Sequence, residues 1–188
     1  MFLDILQRHL DCFKQLPAMV DQVDEIGQQL ARVIADGGKV LVCGNGGSAA
    51  DAQHFAAELL GRFEKERSAW PSIALTTDTS ILTAIGNDYG FADVFARQVQ
   101  GLGRRGDALI GISTSGNSEN VLRALAKAKT QGMFTVGLLG RDGGAIRSVV
   151  DAAIVISDAA TARIQEAHIF ILHYWAMTIE QIVAANAG

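Results

Sequence analysis

The run Ala108-Leu109-Ile110-Gly111-Ile112 passes directly into Ser113-Thr114-Ser115-Gly116-Asn117-Ser118, and a helix-like stretch, Val121 to Lys129, follows. An unbroken apolar run of this length reads as a strand buried on both faces. The hydroxyl cluster then falls where a strand hands over to a helix N-terminus. First-turn N–H groups there lack internal partners, and the helix dipole favours an anion. Ser, Thr and Asn are ordinary N-cap residues, so one of them alone would indicate a cap. Four hydroxyl side chains around a glycine point instead to a phosphate cradle made of neutral donors.

Working outward, short apolar runs recur at Lys39–Cys43, Ser72–Thr76, Phe134–Leu139 and Ala153–Ile156. Helical patterns near 48–60, 79–85, 91–101, 118–131, 143–150 and 161–185 separate or follow them. Residues 3–36 carry apolar positions at helical spacing on either side of Pro17, which predicts an N-terminal helical hairpin. Continuous apolar strands alternating with helices imply an α/β protein with a five-stranded parallel sheet flanked by helices. Residues 1–188 are expected to form a single domain, with the sheet and its helices over about 37–188. In such sheets ligands bind at the carboxyl ends of strands, near a topological switch point. The serine-rich loop and a glycine-rich loop after Cys43 both occupy strand carboxyl ends.

The composition narrows the function. A hydrophobic content of 49% with 20 Gly and 2 Pro describes a compact globular chain. A net charge of −4 with no long basic run argues against nucleic acid or an anionic membrane as partner. Cys12 and Cys43 are too few for a disulfide framework or a cysteine-based zinc site, and Cys43 reads as a small buried hydrophobe. The N-terminus lacks a signal-peptide layout, and charged or polar residues interrupt every apolar stretch short of membrane-spanning length. These features predict a soluble protein of a reducing compartment, the cytoplasm.

Gly44-Asn45-Gly46-Gly47-Ser48-Ala49 formally matches a G-x-G-x-x-A dinucleotide fingerprint, with Ser48 placed as a helix N-cap. A dinucleotide fold would need an acidic residue closing a second strand about twenty residues later. The chain has the charge run Glu64-Lys65-Glu66-Arg67 there, expected to be solvated rather than to end a strand, so the fingerprint is weak. A Walker A lysine is absent, which excludes a P-loop NTPase.

His54 and Glu58 are spaced i, i+4 on the helix after the glycine loop and share one face. An isolated pair of this kind is most simply an intrahelical ion pair. Gln165 and His173, two turns apart on the last helix, add a second polar stripe on an otherwise apolar element. Together His54, Glu58, Gln165 and His173 suit a divalent metal, and two imidazoles with a carboxylate favour zinc. The same Glu and His suit a general acid/base pair instead. His9 and His168 read as surface or satisfied side chains.

Four segments in order, Gly44 to His54, Thr83-Ala84-Ile85-Gly86-Asn87-Asp88, Ser113 to Ser118 and Ala162-Arg163-Ile164-Gln165-Glu166, resemble the phosphoheptose isomerases of the sugar isomerase (SIS) domain superfamily. The likeness runs over nearly the whole chain with the family's spacing. It implies a flavodoxin-like SIS domain that converts sedoheptulose 7-phosphate to D-glycero-D-manno-heptose 7-phosphate, the first step towards the ADP-heptose of lipopolysaccharide. By position, Ser113, Thr114, Ser115 and Ser118 match the family's phosphate loop, and Asn45, Gly46, Gly47 and Ser48 its substrate-contacting turn. Asn87 and Asp88 match a segment that contacts the sugar. His54, Glu58, Gln165 and His173 match its zinc ligands, one ion per subunit, with Glu58 and Gln165 also meeting substrate and Glu58 and His173 forming the catalytic pair. The resemblance further implies a homotetramer with active sites at subunit interfaces, in which a hairpin like 3–36 belongs to the assembly.

Two rival readings share the fold. A non-catalytic bacterial protein resembling this family binds the replication initiator, and its position matching His173 is not histidine; His173 here favours catalysis. A SIS-domain sensor regulating transcription would require a DNA-binding domain, for which 188 residues leave no room.

Overall fold

The computed structural model describes residues 1–186. Five strands, β1 (Val40–Gly44), β2 (Ser72–Ala74), β3 (Ala108–Ser113), β4 (Phe134–Gly140) and β5 (Ala152–Ile156), form one parallel sheet in the order β2-β1-β3-β4-β5. The chain leaves β1 in one direction and returns to its other side at β3. The switch point therefore lies between their carboxyl ends, where Gly44 pairs with Ile112 and Ser113 with Leu139.

Alternate strand residues serve two cores, as the period of two requires. Val40, Val42, Ile110, Ile112, Val136, Leu138 and Ile154 face one layer with helices α2 (Val20–Ala35), α3 (Gly47–Leu60) and α7 (Thr161–Asn186). Leu41, Cys43, Leu109 and Leu139 face the other, with α5 (Val94–Leu102) and α6 (Glu119–Thr130), while Leu82 and Ile85 of α4 (Thr79–Asp88) pack at its margin. Cys43 is thus the small buried hydrophobe its run implied. The central helix of the first layer is α7, whose Trp175 is fully buried and donates from Nε1 to the Val23 carbonyl at 2.9 Å. Gly27 permits that approach, since a Cβ there would stand 3.2 Å from the Trp175 ring.

The N-terminal hairpin forms from α1 (Phe2–Phe13) and α2, joined by a 3-10 turn at Leu16–Met19 that carries Pro17 near its start. Three local expectations are corrected. Ser48 is not the N-cap of α3: Gly46 caps it at φ +57°, and Ser48 lies buried inside the first turn against Gly44. The helix expected at 91–101 begins as a 3-10 turn, Phe91–Asp93, before α5. Residues 143–150 hold only the 3-10 turn Ala145–Ser148, because Gly143 and Gly144 both adopt positive φ and cannot extend a helix.

Candidate active site

At the end of β3 the chain turns through Gly116, at φ +67°, and the hydroxyls gather beneath the turn. Ser113 Oγ stands 2.8 Å from Ser118 Oγ and 3.4 Å from Ser115 Oγ. Ser118 occupies the N-cap position of α6, yet its side chain makes no cap hydrogen bond. Its oxygen is committed to Ser113, so the Glu119 and Asn120 amides at the start of α6 keep their capacity for another acceptor, while the Val121 N–H donates to Asn120 Oδ1 at 2.9 Å. Thr114 lies in the same turn, and Asn117 props it from outside, its Oδ1 accepting from the Ala145 N–H at 2.9 Å.

The glycine loop after β1 faces this cradle. Asn45 and Asn120 exchange two amide hydrogen bonds, of 2.9 and 2.8 Å, across the switch point. Asn120, in the first turn of α6, is a linking residue that sequence reading missed, hidden within an ordinary helical pattern. Gly47, opening α3, lies under the Gln165 side chain so closely that a Cβ would come within 2.3 Å of Nε2. Gln165 thus stands at the start of the α3–α7 seam, beside the glycine loop.

Two turns further along the seam, three lone-pair atoms converge. His54 Nε2 lies 3.0 Å from Glu58 Oε1 and 2.9 Å from His173 Nε2. The two imidazoles tilt at 56° with centroids 5.0 Å apart, and Phe63 lies against the outer ring, 5.8 Å from His173. Ligand atoms of His54, Glu58 and His173 all fall within 4.8 Å of one another. Two ring nitrogens facing each other need a proton or a cation between them, so the donor set suits a metal ion. Two zinc–nitrogen bonds of about 2.0–2.1 Å at a tetrahedral angle would part the nitrogens to roughly 3.3 Å, a small adjustment.

Asp51, one turn before His54 on α3, also escaped sequence reading. Its Oδ2 is buried without a partner, and burial raises its carboxyl to about 6 against the opposing pull of His54. Asn87 and Asp88 lie at the exposed carboxyl end of α4, hydrogen-bonded to each other at 2.8 Å. Among the described residues neither bonds to the cradle or the seam. His168 is buried, with Nε2 on the Leu139 carbonyl at 3.1 Å and Nδ1 unpartnered; His9 pairs with Glu166 at 2.8 Å.

A doubly covered sheet in this flavodoxin-like order, with a hydroxyl-lined turn at its switch point, is the frame of a sugar isomerase (SIS) domain, and the SIS domain family model matches residues 6–140. Among relatives, "Phosphoheptose isomerase" of Nitratiruptor sp. is 64% identical over 143 residues, 76% of each chain. "Phosphoheptose isomerase 1" of Campylobacter jejuni is 53% identical over 175 residues, 93% of this chain and 94% of that one. The solved phosphoheptose isomerase GmhA of Neisseria gonorrhoeae superposes with a TM-score of 0.91 at 43% identity, covering 96% of this chain and 97% of its own. The chain belongs to the SIS domain family and, within it, to the phosphoheptose isomerases; it is an isomerase.

Proposed function

We infer that the protein interconverts sedoheptulose 7-phosphate and D-glycero-D-manno-heptose 7-phosphate, supplying the route to ADP-heptose, and that residues 1–188 act as one domain. One observation carries the chemistry: His173 Nε2 meets His54 Nε2 at 2.9 Å on the seam that also holds Glu58. The substrate phosphate sits on Ser113, Thr114, Ser115, Ser118 and the first amides of α6. Asn45, Gly46, Gly47 and Ser48, with Asn87, Asp88 and Gln165, hold the sugar. His54 stands seven residues along α3 from Gly47, about 10 Å of helix rise, a span of the order of an extended seven-carbon chain.

In the ketose-to-aldose direction Glu58 takes a proton from C1 and the electron pair forms the C1–C2 double bond of an enediol. His173 moves a proton between the O1 and O2 oxygens as the carbonyl shifts. Glu58 then returns its proton to C2, so no atom is gained or lost. His54, Glu58 and His173, whose ligand atoms converge, would hold one Zn2+, with Gln165 reaching it from its place beside Gly47; the ion when bound would polarise the substrate oxygens. A carboxylate that also held a metal would be a weaker base. Support for assembly as a tetramer, with sites at subunit interfaces, comes from the exposed apolar face of α1: Phe2, Leu3, Ile5, Leu6 and Leu10. Among the described residues no helix is long and apolar enough to cross a membrane.

The deciding experiment is isomerisation of sedoheptulose 7-phosphate by wild type and His173→Asn. Heptose 7-phosphate formed by the first and lost in the second supports the reading; a folded, metal-loaded wild type without turnover overturns it.

A further inference from the structure

The last turn of α3, which carries Glu58, ends in carbonyls that a helix leaves without internal partners. Arg67 takes them. Its Nη2 donates to the Glu58 carbonyl at 2.7 Å, and its Nη1 to the carbonyls of Leu59, Gly61 and Ser68 at 2.8, 3.1 and 3.1 Å. The guanidinium rests on the Trp70 ring at 3.8 Å, and Nε donates to Glu180 Oε1 at 3.2 Å. Glu180 lies two turns beyond His173 on α7 and accepts three consecutive backbone N–H groups: Phe63 at 3.3 Å, Glu64 at 3.0 Å and Lys65 at 2.9 Å. Burial pushes its carboxyl up, but those amides and the Arg67 charge outweigh it and hold the group below the usual carboxylate range.

Both side chains are buried, at 6% and 2% exposure. Such a pair is often no more stabilising than apolar residues of the same volume. An apolar pair, however, could not tie the end of one helix and three successive loop amides to a neighbouring helix. Phe63, fixed by its own N–H on Glu180, is the residue whose ring lies against His173. One carboxylate on the His173 helix therefore sets both the end of the Glu58 helix and the wall beside His173.

We propose that Arg67 and Glu180 are positioning residues that hold Glu58 and Phe63 in register with His173 across the α3–α7 seam. The proposal rests on Glu58 and His173 being the proton-transfer pair. Arg67→Lys keeps the charge but loses the fork that grips four carbonyls, and Phe63→Leu removes only the ring wall, with Phe63→Tyr as the conservative variant. Each full-length variant is compared with wild type by circular dichroism, calorimetric Zn2+ binding, His173 imidazole NMR and steady-state kinetics.

Folded Arg67→Lys is expected to bind Zn2+ roughly tenfold or more weakly, with shifted His173 resonances and a kcat that falls further than KM rises. Phe63→Leu shows the same pattern more mildly, and Phe63→Tyr restores it. Wild-type Zn2+ affinity, unmoved His173 resonances and unchanged kcat in folded Arg67→Lys would overturn the proposal. Should that variant not fold, the same readouts on Phe63→Leu against Phe63→Tyr decide. A wild type without turnover defeats the isomerase reading alone, because the His173 resonances still report on positioning.

Discussion

Asn45 and Asn120 face each other across the switch point and exchange two amide hydrogen bonds, of 2.9 and 2.8 Å. The glycine loop and the hydroxyl-lined turn after β3 are therefore one unit, although 75 residues separate Asn45 from Asn120 in the chain. Asn120 is also the acceptor for the Val121 N–H at 2.9 Å, so its orientation leaves little choice to Asn45.

Asn120→Ala is expected to destabilise the protein by about 1–3 kcal/mol, since it strands a partly buried amide. The KM for sugar phosphate should rise while kcat changes less, because the chemistry lies further down the seam. Asn120→Asp should raise KM further, as it places an anion beside the phosphate site. Urea unfolding and steady-state kinetics separate the two effects; an unchanged KM in both variants would contradict the coupling.

Gly47 and Gly116 should respond differently to the same added methyl group. A Cβ on Gly116 would stand 2.1 Å from the Gly143 carbonyl oxygen, in a backbone already at φ +67°. Backbone meets backbone there, so Gly116→Ala should cost on the order of 2 kcal/mol or more and loosen the whole cradle. On Gly47 the obstacle is the mobile end of the Gln165 side chain, 2.3 Å away. Gly47→Ala should fold with nearly wild-type thermal stability but lose turnover, because Gln165 must leave the site. The thermal midpoint and kcat of each variant check the contrast.

Two groups make stability depend on pH in opposite directions. Burial lowers His168 from 6.5 to about 4, partly countered by the Leu139 carbonyl that its ring meets. Between those values the unfolded chain holds the proton and the native chain does not, so stability falls as pH drops through 6.5 towards 4, by about 3 kcal/mol at most. Burial raises Asp51 from 3.8 to about 6, so in that window the native chain holds the extra proton. Its contribution is complete below about 3.8 and is lost as pH rises towards 6, on the order of 1–2 kcal/mol after discounting for its partial exposure. His168→Gln should therefore flatten the acid loss, and Asp51→Asn should steepen it. Urea midpoints between pH 4.5 and 7 decide, and parallel curves for both variants would contradict the assignments.

The sequence was legible wherever one local period dominated. Ala108–Ile112 read as a strand with its hydroxyl loop, and the serine hydroxyls gather there because strand, turn and helix start are neighbours in the chain. His54 and Glu58 were visible for the same reason, as one face of one helix. Ser48 misled because serine is a common cap, whereas the turn needed the positive φ that Gly46 supplies. Residues 143–150 looked helical from composition, but the two glycines there fold against Gly116 and Asn117. Asn120 and Glu180 gave no signal, since the side chains they meet lie 75 and 113 residues away, and Arg67 read as part of a solvated charge run although its side chain is buried against carbonyls within nine residues of it.

The convergence of His54, Glu58 and His173 also fixes what metal removal should do. None of the three belongs to either hydrophobic core, so the sheet and its helices do not depend on an ion for their packing. Dialysis against a chelator should leave the far-ultraviolet circular dichroism intact and lower the thermal midpoint by a few degrees, as the loss of a native-state ligand requires. Turnover should fall together with metal content, because two ring nitrogens at 2.9 Å then share a proton and His173 is no longer free to move one at oxygen. Adding one equivalent of Zn2+ per chain should restore both activity and midpoint in wild type. In His54→Gln it should restore much less, since one of two imidazoles is missing. Full turnover in chelator-treated protein with no measurable metal would show that the three side chains work as a proton-transfer group alone.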